Sequence, residues 1–126
     1  DLEKYLNEIV INFKDVFENN TIETNFLISN VLTTPENAMY YGLLLTELCI
    51  NSVKHAFTED SEIKKIEFEF SSKEENSISF RYFDNGSNSK NKIIKPKLVD
   101  KICRQLKINY TINTDNGFLF TFTKNN

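Results

Sequence analysis

Apolar residues recur with a period near 3.6 in three stretches of the chain and with a period near 2 in the stretches between them. Over residues 1–18, Leu2, Leu6, Ile9, Val10, Phe13, Val16 and Phe17 form one stripe, which predicts a leading helix closed by Asn19-Asn20. Residues 21–31 read as a strand, with Ile22, Phe26 and Ile28 at even spacing. Thr34-Pro35-Glu36 is a helix start: Thr34 serves as N-cap, Pro35 fits the first helical position, and Glu36 suits the positive end of the dipole. That helix is predicted to run to about Phe57, and from Leu43 onward it is apolar nearly all round. Such a helix lies between layers rather than on a surface.

The period then drops to 2. Ile66, Phe68 and Phe70 alternate with Glu67 and Glu69, and Ile78, Phe80 and Tyr82 alternate over residues 77–83. A polar turn over 71–76 makes these two strands a hairpin. Asp84-Asn85-Gly86 follows directly, then a lysine-bearing loop over 87–95. A helix from Pro96 has Leu98, Val99, Ile102, Cys103 and Leu106 on its apolar stripe. Ile108, Tyr110 and Ile112 mark the next strand, Asn116-Gly117 predicts a type I′ turn, and Phe118, Phe120 and Phe122 alternate in the last strand. Hairpins grouped with helices predict an α/β (α+β) two-layer sandwich, a mixed sheet covered on one face by helices.

At 126 residues the chain reads as one domain, with residues 1–18 as a leading helix and 21–126 as the core. A net charge of −3 gives no reason to expect nucleic-acid binding, which needs a clustered basic surface, and no apolar run is long enough to cross a bilayer. Cys49 and Cys103 have neither metal-ligand spacing nor a CxxC arrangement. They read as small buried hydrophobes of a reducing, cytoplasmic compartment.

The candidate chemistry lies on the central helix. Glu47, Asn51 and His55 stand at i, i+4 and i+8, which places a carboxylate, an amide and an imidazole on one stripe. Burying such groups without partners costs a few kcal/mol each, so they are satisfied internally or used on a ligand. Taken singly, Glu47 and Asn51 fit a solvated seam, and Asp84-Asn85-Gly86 fits a hairpin-exit turn. Parity adds a constraint: Asp84 shares a face with Ile78, Phe80 and Tyr82. If helices cover that face, Asp84 emerges near the Glu47–Asn51 stripe, where its carboxylate can accept from an exocyclic amine such as that of adenine. Gly86 just beyond would let backbone approach a ring closely.

Together these segments are more specific than apart. Glu47-Leu48-Cys49-Ile50-Asn51-Ser52-Val53-Lys54-His55-Ala56 resembles the N-box helix of the GHKL ATPase superfamily, most closely that of HWE-like sensor histidine kinases. Arg81-Tyr82-Phe83-Asp84-Asn85-Gly86 resembles the strand and D-x-G of the family's first glycine box. The segment from Pro96 resembles the closing helix and hairpin, and the first 17 residues resemble the helix after the phosphoacceptor helices of such kinases. The resemblance implies a Bergerat-type ATP-binding domain. In it Asn51 would bind Mg²⁺, Glu47 would polarise the nucleophile or a metal-bound water, Lys54 and His55 would sit towards the phosphates, and Asp84 would hold the adenine amine beside Gly86. The implied reaction is γ-phosphoryl transfer from ATP to a histidine on an upstream segment. The implied partners are upstream dimerisation and phosphoacceptor helices and a response regulator, without nucleic acid or direct membrane contact. Three departures stand out: Asn88 replaces a glycine of the first box, residues 93–98 hold no glycine where the second box belongs, and Asn116-Gly117-Phe118 replaces a Gly-Gly-Thr type of sequence. Two alternatives follow. One is a degenerate domain of this fold acting as a docking or dimerisation module; the other is a GHKL serine kinase of the anti-sigma type.

Overall fold

The computed structural model describes residues 1–57, 63–72, 74, 77–86 and 97–125. The expected loop over 87–95 and the helix start at Pro96 therefore lie outside the described residues, as do positions 73, 75 and 76 of the expected turn over 71–76. A five-stranded mixed sheet forms the frame. Its strands are β1 (Ile22–Ile28), β2 (Lys64–Ser71), β3 (Ser77–Asp84), β4 (Thr111–Asn113) and β5 (Phe118–Asn125), ordered β1-β2-β3-β5-β4. β1 and β2 are parallel, while β2 with β3, β3 with β5, and β4 with β5 are antiparallel. A parallel pair needs a crossover, and the long helix α3 (Pro35–Asn51) provides it.

The period-2 pattern decides which face is covered. Ile66, Phe68 and Phe70 of β2, Ile78, Phe80 and Tyr82 of β3, and Phe120 and Phe122 of β5 are all buried. Phe80 sits at their centre, with ring centroids 4.9 Å from both Phe68 and Phe122 and 5.6 Å from Phe120. Onto this face pack Tyr41, Leu44, Leu45, Leu48 and Cys49 of α3 and Val99, Ile102, Cys103 and Leu106 of α4 (Lys97–Leu106). The other face is wet: Glu67 and Arg81 meet there at 3.4 Å, both roughly two-fifths exposed, a pair of little energetic weight. The expected two-layer α+β sandwich is the fold found. Both cysteines are free and buried. Among the described residues no helix is long and apolar enough to cross a membrane.

Several local expectations are corrected. The leading helix is two helices, α1 (Leu2–Asn12) and α2 (Lys14–Asn19), broken at Phe13, where φ is −89° and ψ is −6°. The break lets Leu2 and Leu6 bury while Phe17 turns onto β1, its ring stacking with Phe13 at 5.6 Å and with Phe26 at 6.0 Å. Val16 and Leu98, placed on apolar stripes by their spacing, are exposed. β1 stops at Ile28 rather than continuing to residue 31. The strand expected over Ile108, Tyr110 and Ile112 shrinks to Thr111–Asn113. Ile108 is consumed by the end of α4, its N–H donating to the Cys103 carbonyl at 3.1 Å, and Tyr110 turns back to donate to Asp100 at 3.0 Å. The Asn116-Gly117 turn is not type I′, because Gly117 has φ +111° but Asn116 does not share a positive φ. The connection is longer than two residues and starts with an Asx turn, the Asp115 N–H donating to Asn113 Oδ1 at 2.9 Å.

Candidate functional site

The C-terminal end of α3 and the end of β3 meet, and the reason lies in both sequences. The α3 start is as expected: Thr34 accepts from the Asn37 N–H at 3.1 Å, with Pro35 in the first turn. The expected helix to Phe57 is α-helical only to Asn51; Ser52–Ala56 form a π-helical turn. One residue more per hydrogen-bonded turn ends the i, i+4 register, so Glu47 and Asn51 share an α-helical face but His55 does not extend it. Such widened turns recur at functional sites. The turn buries Ser52 and Ala56 and leaves Lys54 and His55 exposed.

Asp84 closes β3 on the covered face, 2 % exposed. Its Oδ2 accepts a 2.6 Å hydrogen bond from the Ser52 hydroxyl, which in turn lies 2.7 Å from the Tyr82 hydroxyl. Its Oδ1 accepts from the Gly86 N–H at 3.0 Å, and the Phe118 N–H also donates to the carboxylate. Burial raises the Asp84 pKa above 3.8, and the bonds from Ser52, Gly86 and Phe118 oppose that rise without cancelling it. The Tyr82 hydroxyl is pushed well above 10, first by burial and then by the neighbouring Cys49.

Two further residues hold the Asp84 corner. Asn85 behaves as an extra rung of the sheet: its Oδ1 accepts from the Lys65 N–H at 2.7 Å and its Nδ2 donates to the Ile63 carbonyl at 2.8 Å. Gly117 packs so closely that a Cβ there would stand 2.3 Å from the Asp84 carbonyl oxygen.

The structure thus brings Asp84 and Gly86 against the turn that follows Asn51. Glu47 and Asn51 are half-buried, and among the described residues neither side chain makes a hydrogen bond or ion pair. Lys54 and His55 are not drawn into the cluster. Gly86 serves packing: the space its missing side chain frees is occupied by Ala56. Sequence reasoning missed Ser52 and Tyr82. The signal was present, since Ser52 interrupts an apolar row, Leu48, Ser52 and Ala56, at four-residue spacing. A cavity of about 500 Å³ among the described residues, lined in part by Tyr5, Leu32, Pro35 and Met39, lies at the other end of α3 and shares no residue with this cluster.

No protein-family model matches the chain, and no curated protein matches it. Solved structures do. The histidine kinase domain of the blue-light activated histidine kinase EL346 from Erythrobacter litoralis superposes with a TM-score of 0.82 at 19 % identity, covering 97 % of this chain and 59 % of that one. The chain thus spans well under two thirds of that domain. The catalytic domain of histidine kinase ThkA gives a TM-score of 0.69 at 19 % identity, covering 99 % of this chain and 92 % of the other. Full-length ShkA in complex with AMPPNP gives 0.66 at 15 % identity, covering 98 % of this chain and 29 % of the other. The fold expected from the N-box resemblance is the fold found: the chain has the architecture of the catalytic domains of histidine kinases.

Proposed function

We propose that the chain is the catalytic, ATP-binding domain of a sensor histidine kinase, which transfers the ATP γ-phosphoryl to a histidine on an upstream helical segment. The observation that carries this reading is the 2.6 Å bond between Ser52 and Asp84, which draws the carboxylate against the helix end that bears Asn51. In this reading Asp84 accepts from the adenine amine, and the Gly86 N–H fixes the carboxylate's orientation. Exposed just past Asn51, Lys54 serves the phosphates as a point charge and His55 as a hydrogen-bond donor.

The donor set suits Mg²⁺. Asn51 offers an amide carbonyl, a hard oxygen with no competing hydrogen bond among the described residues. Such an ion takes one or two protein ligands and completes its shell with water and triphosphate oxygens. When bound, Mg²⁺ supplies neutralisation of charge on the phosphate oxygens. Asn51 holds its position, and Glu47 polarises the attacking nucleophile. The partners in this reading are the upstream dimerisation and phosphoacceptor helices and a response regulator, and the setting is cytoplasmic.

A second reading has one observation in its favour: residues 93–98 contain no glycine. A backbone cradle for phosphates needs glycine's conformational range. A degenerate domain of this fold would then act as a docking or dimerisation module. Titration with a fluorescent ATP analogue, with and without Mg²⁺, decides between the two. The kinase reading expects Mg²⁺-dependent binding that is lost in Asn51→Ala and in Asp84→Ala. Absence of binding at millimolar ligand leaves the docking module.

A further inference from the structure

We propose that Tyr82 and Ser52 are a positioning pair that holds Asp84 as a pure hydrogen-bond acceptor and thereby sets the preference of this site for a purine bearing an exocyclic amine. The inference rests on the nucleotide-binding reading above and assigns its base selectivity to two residues that lie within the resembling segments but to which the resemblance gives no role.

Proton counting carries the argument. A serine hydroxyl has one proton to give. Ser52 gives it to Asp84 Oδ2 at 2.6 Å, so the 2.7 Å contact with Tyr82 is one in which Tyr82 donates. Tyr82 is fully buried, with its hydroxyl neighbouring the Cys49 thiol. Run in this sense, the chain of bonds ends on a carboxylate, the strongest acceptor present. Run in reverse, with a protonated Asp84 donating to Ser52, it would end on the Cys49 sulfur, a weak acceptor. The forward sense is therefore favoured, and Tyr82 enforces it by occupying the acceptor side of Ser52.

The carboxylate itself has about four lone-pair directions. Ser52, the Gly86 N–H and the Phe118 N–H take three of them. All three partners donate, so the remaining direction accepts. An amine satisfies it, whereas a carbonyl at the same position would set lone pair against lone pair. Without the Tyr82 hydroxyl, Ser52 is released to bond back to its own helix, a habit of helical serines. Asp84 then loses a donor and its fixed polarity.

The test compares ATP with purine riboside 5′-triphosphate, which lacks the 6-amino group, in the wild-type chain and in Tyr82→Phe, Ser52→Ala and Ser52→Thr. Dissociation constants are measured in Mg²⁺, and thermal melting confirms that each variant is folded. The wild-type chain is expected to prefer ATP by roughly tenfold or more, the scale of a hydrogen bond to a charged group. Tyr82→Phe and Ser52→Ala are expected to lower that preference to about threefold or less, chiefly by weakening ATP, and Ser52→Thr to restore it. Should Tyr82→Phe fail to fold, Ser52→Ala carries the comparison. A preference unchanged in the two hydroxyl deletions, yet lost in Asp84→Asn, overturns the inference alone. Equal weakening of both nucleotides overturns it too, since that is the mark of a general packing role. Failure of the wild-type chain to bind either nucleotide overturns the nucleotide reading and the inference together.

Discussion

The backbone of Gly86 lies so close to Ala56 that a Cβ built on Gly86 would stand 2.2 Å from the Ala56 carbonyl oxygen. This contact seats the end of β3 on the π-helical turn, and with it the Asp84 carboxylate, whose Oδ1 the Gly86 N–H holds. Gly86→Ala must therefore move backbone on one side or the other. Overpacking of that kind costs about 3 kcal/mol. Gly42 offers the comparison. A Cβ there would meet the Tyr5 ring at 2.5 Å, but Tyr5 is partly exposed and its ring can swing away. Alanine also gains about 1 kcal/mol over glycine inside a helix, so Gly42→Ala is expected to be near neutral. Urea unfolding of the two variants tests the contrast; equal losses would show that the Ala56 contact is not special.

Much of this arrangement was legible in the sequence, and what was not has physical causes. The covered sheet face was readable because Ile66, Phe68, Phe70, Ile78, Phe80 and Tyr82 alternate without interruption, and parity then carried Asp84 inside with them. The α3 start was readable because capping is local: Thr34 and Pro35 need no tertiary partner. The π-helical turn was not, since its causes are tertiary. Ser52 must meet Asp84, 32 positions away, and Ala56 must meet Gly86. The break at Phe13 was missed because an apolar stripe continues through it, while the choice between one helix and two is made by β1. Asn85 read as turn-forming, and its side chain instead spans to the backbone of Ile63 and Lys65. A propensity cannot specify such a partner.

The buried carboxylate makes stability depend on pH in a direction unusual for an aspartate. Burial raises the Asp84 pKa above its usual 3.8, and the three donated hydrogen bonds only moderate the rise. Between the unfolded and folded pKa values the folded chain therefore binds more protons than the unfolded one. Its stability from this group falls as pH rises through that interval, and the cost stays in full above the folded pKa. Asp84→Asn removes the titration. The melting temperature of Asp84→Asn relative to the wild-type chain is expected to climb as pH rises from below 3.8 through the folded pKa. A difference that falls over that range would mean the carboxylate is stabilised, not strained, by its site.

The end of α4 supplies a prediction free of any ligand. Lys107 has φ +57°, the left-handed conformation, and closes a Schellman motif: its N–H donates to the Arg104 carbonyl and the Ile108 N–H to the Cys103 carbonyl, both at 3.1 Å. A side chain in that conformation costs about 1–2 kcal/mol, more than the entropy that glycine loses on folding. The charge of Lys107 is not needed to cap the helix, because Lys124 Nζ already donates to the Leu106 carbonyl at 2.7 Å. Lys107→Gly is therefore expected to stabilise the chain by about 0.5 kcal/mol. Lys107→Ala removes the same charge but keeps the Cβ and its strain, so it should bring no gain. Denaturation midpoints at an unchanged m-value separate the two. If alanine matched or exceeded glycine at this position, the backbone strain assigned to Lys107 would be absent.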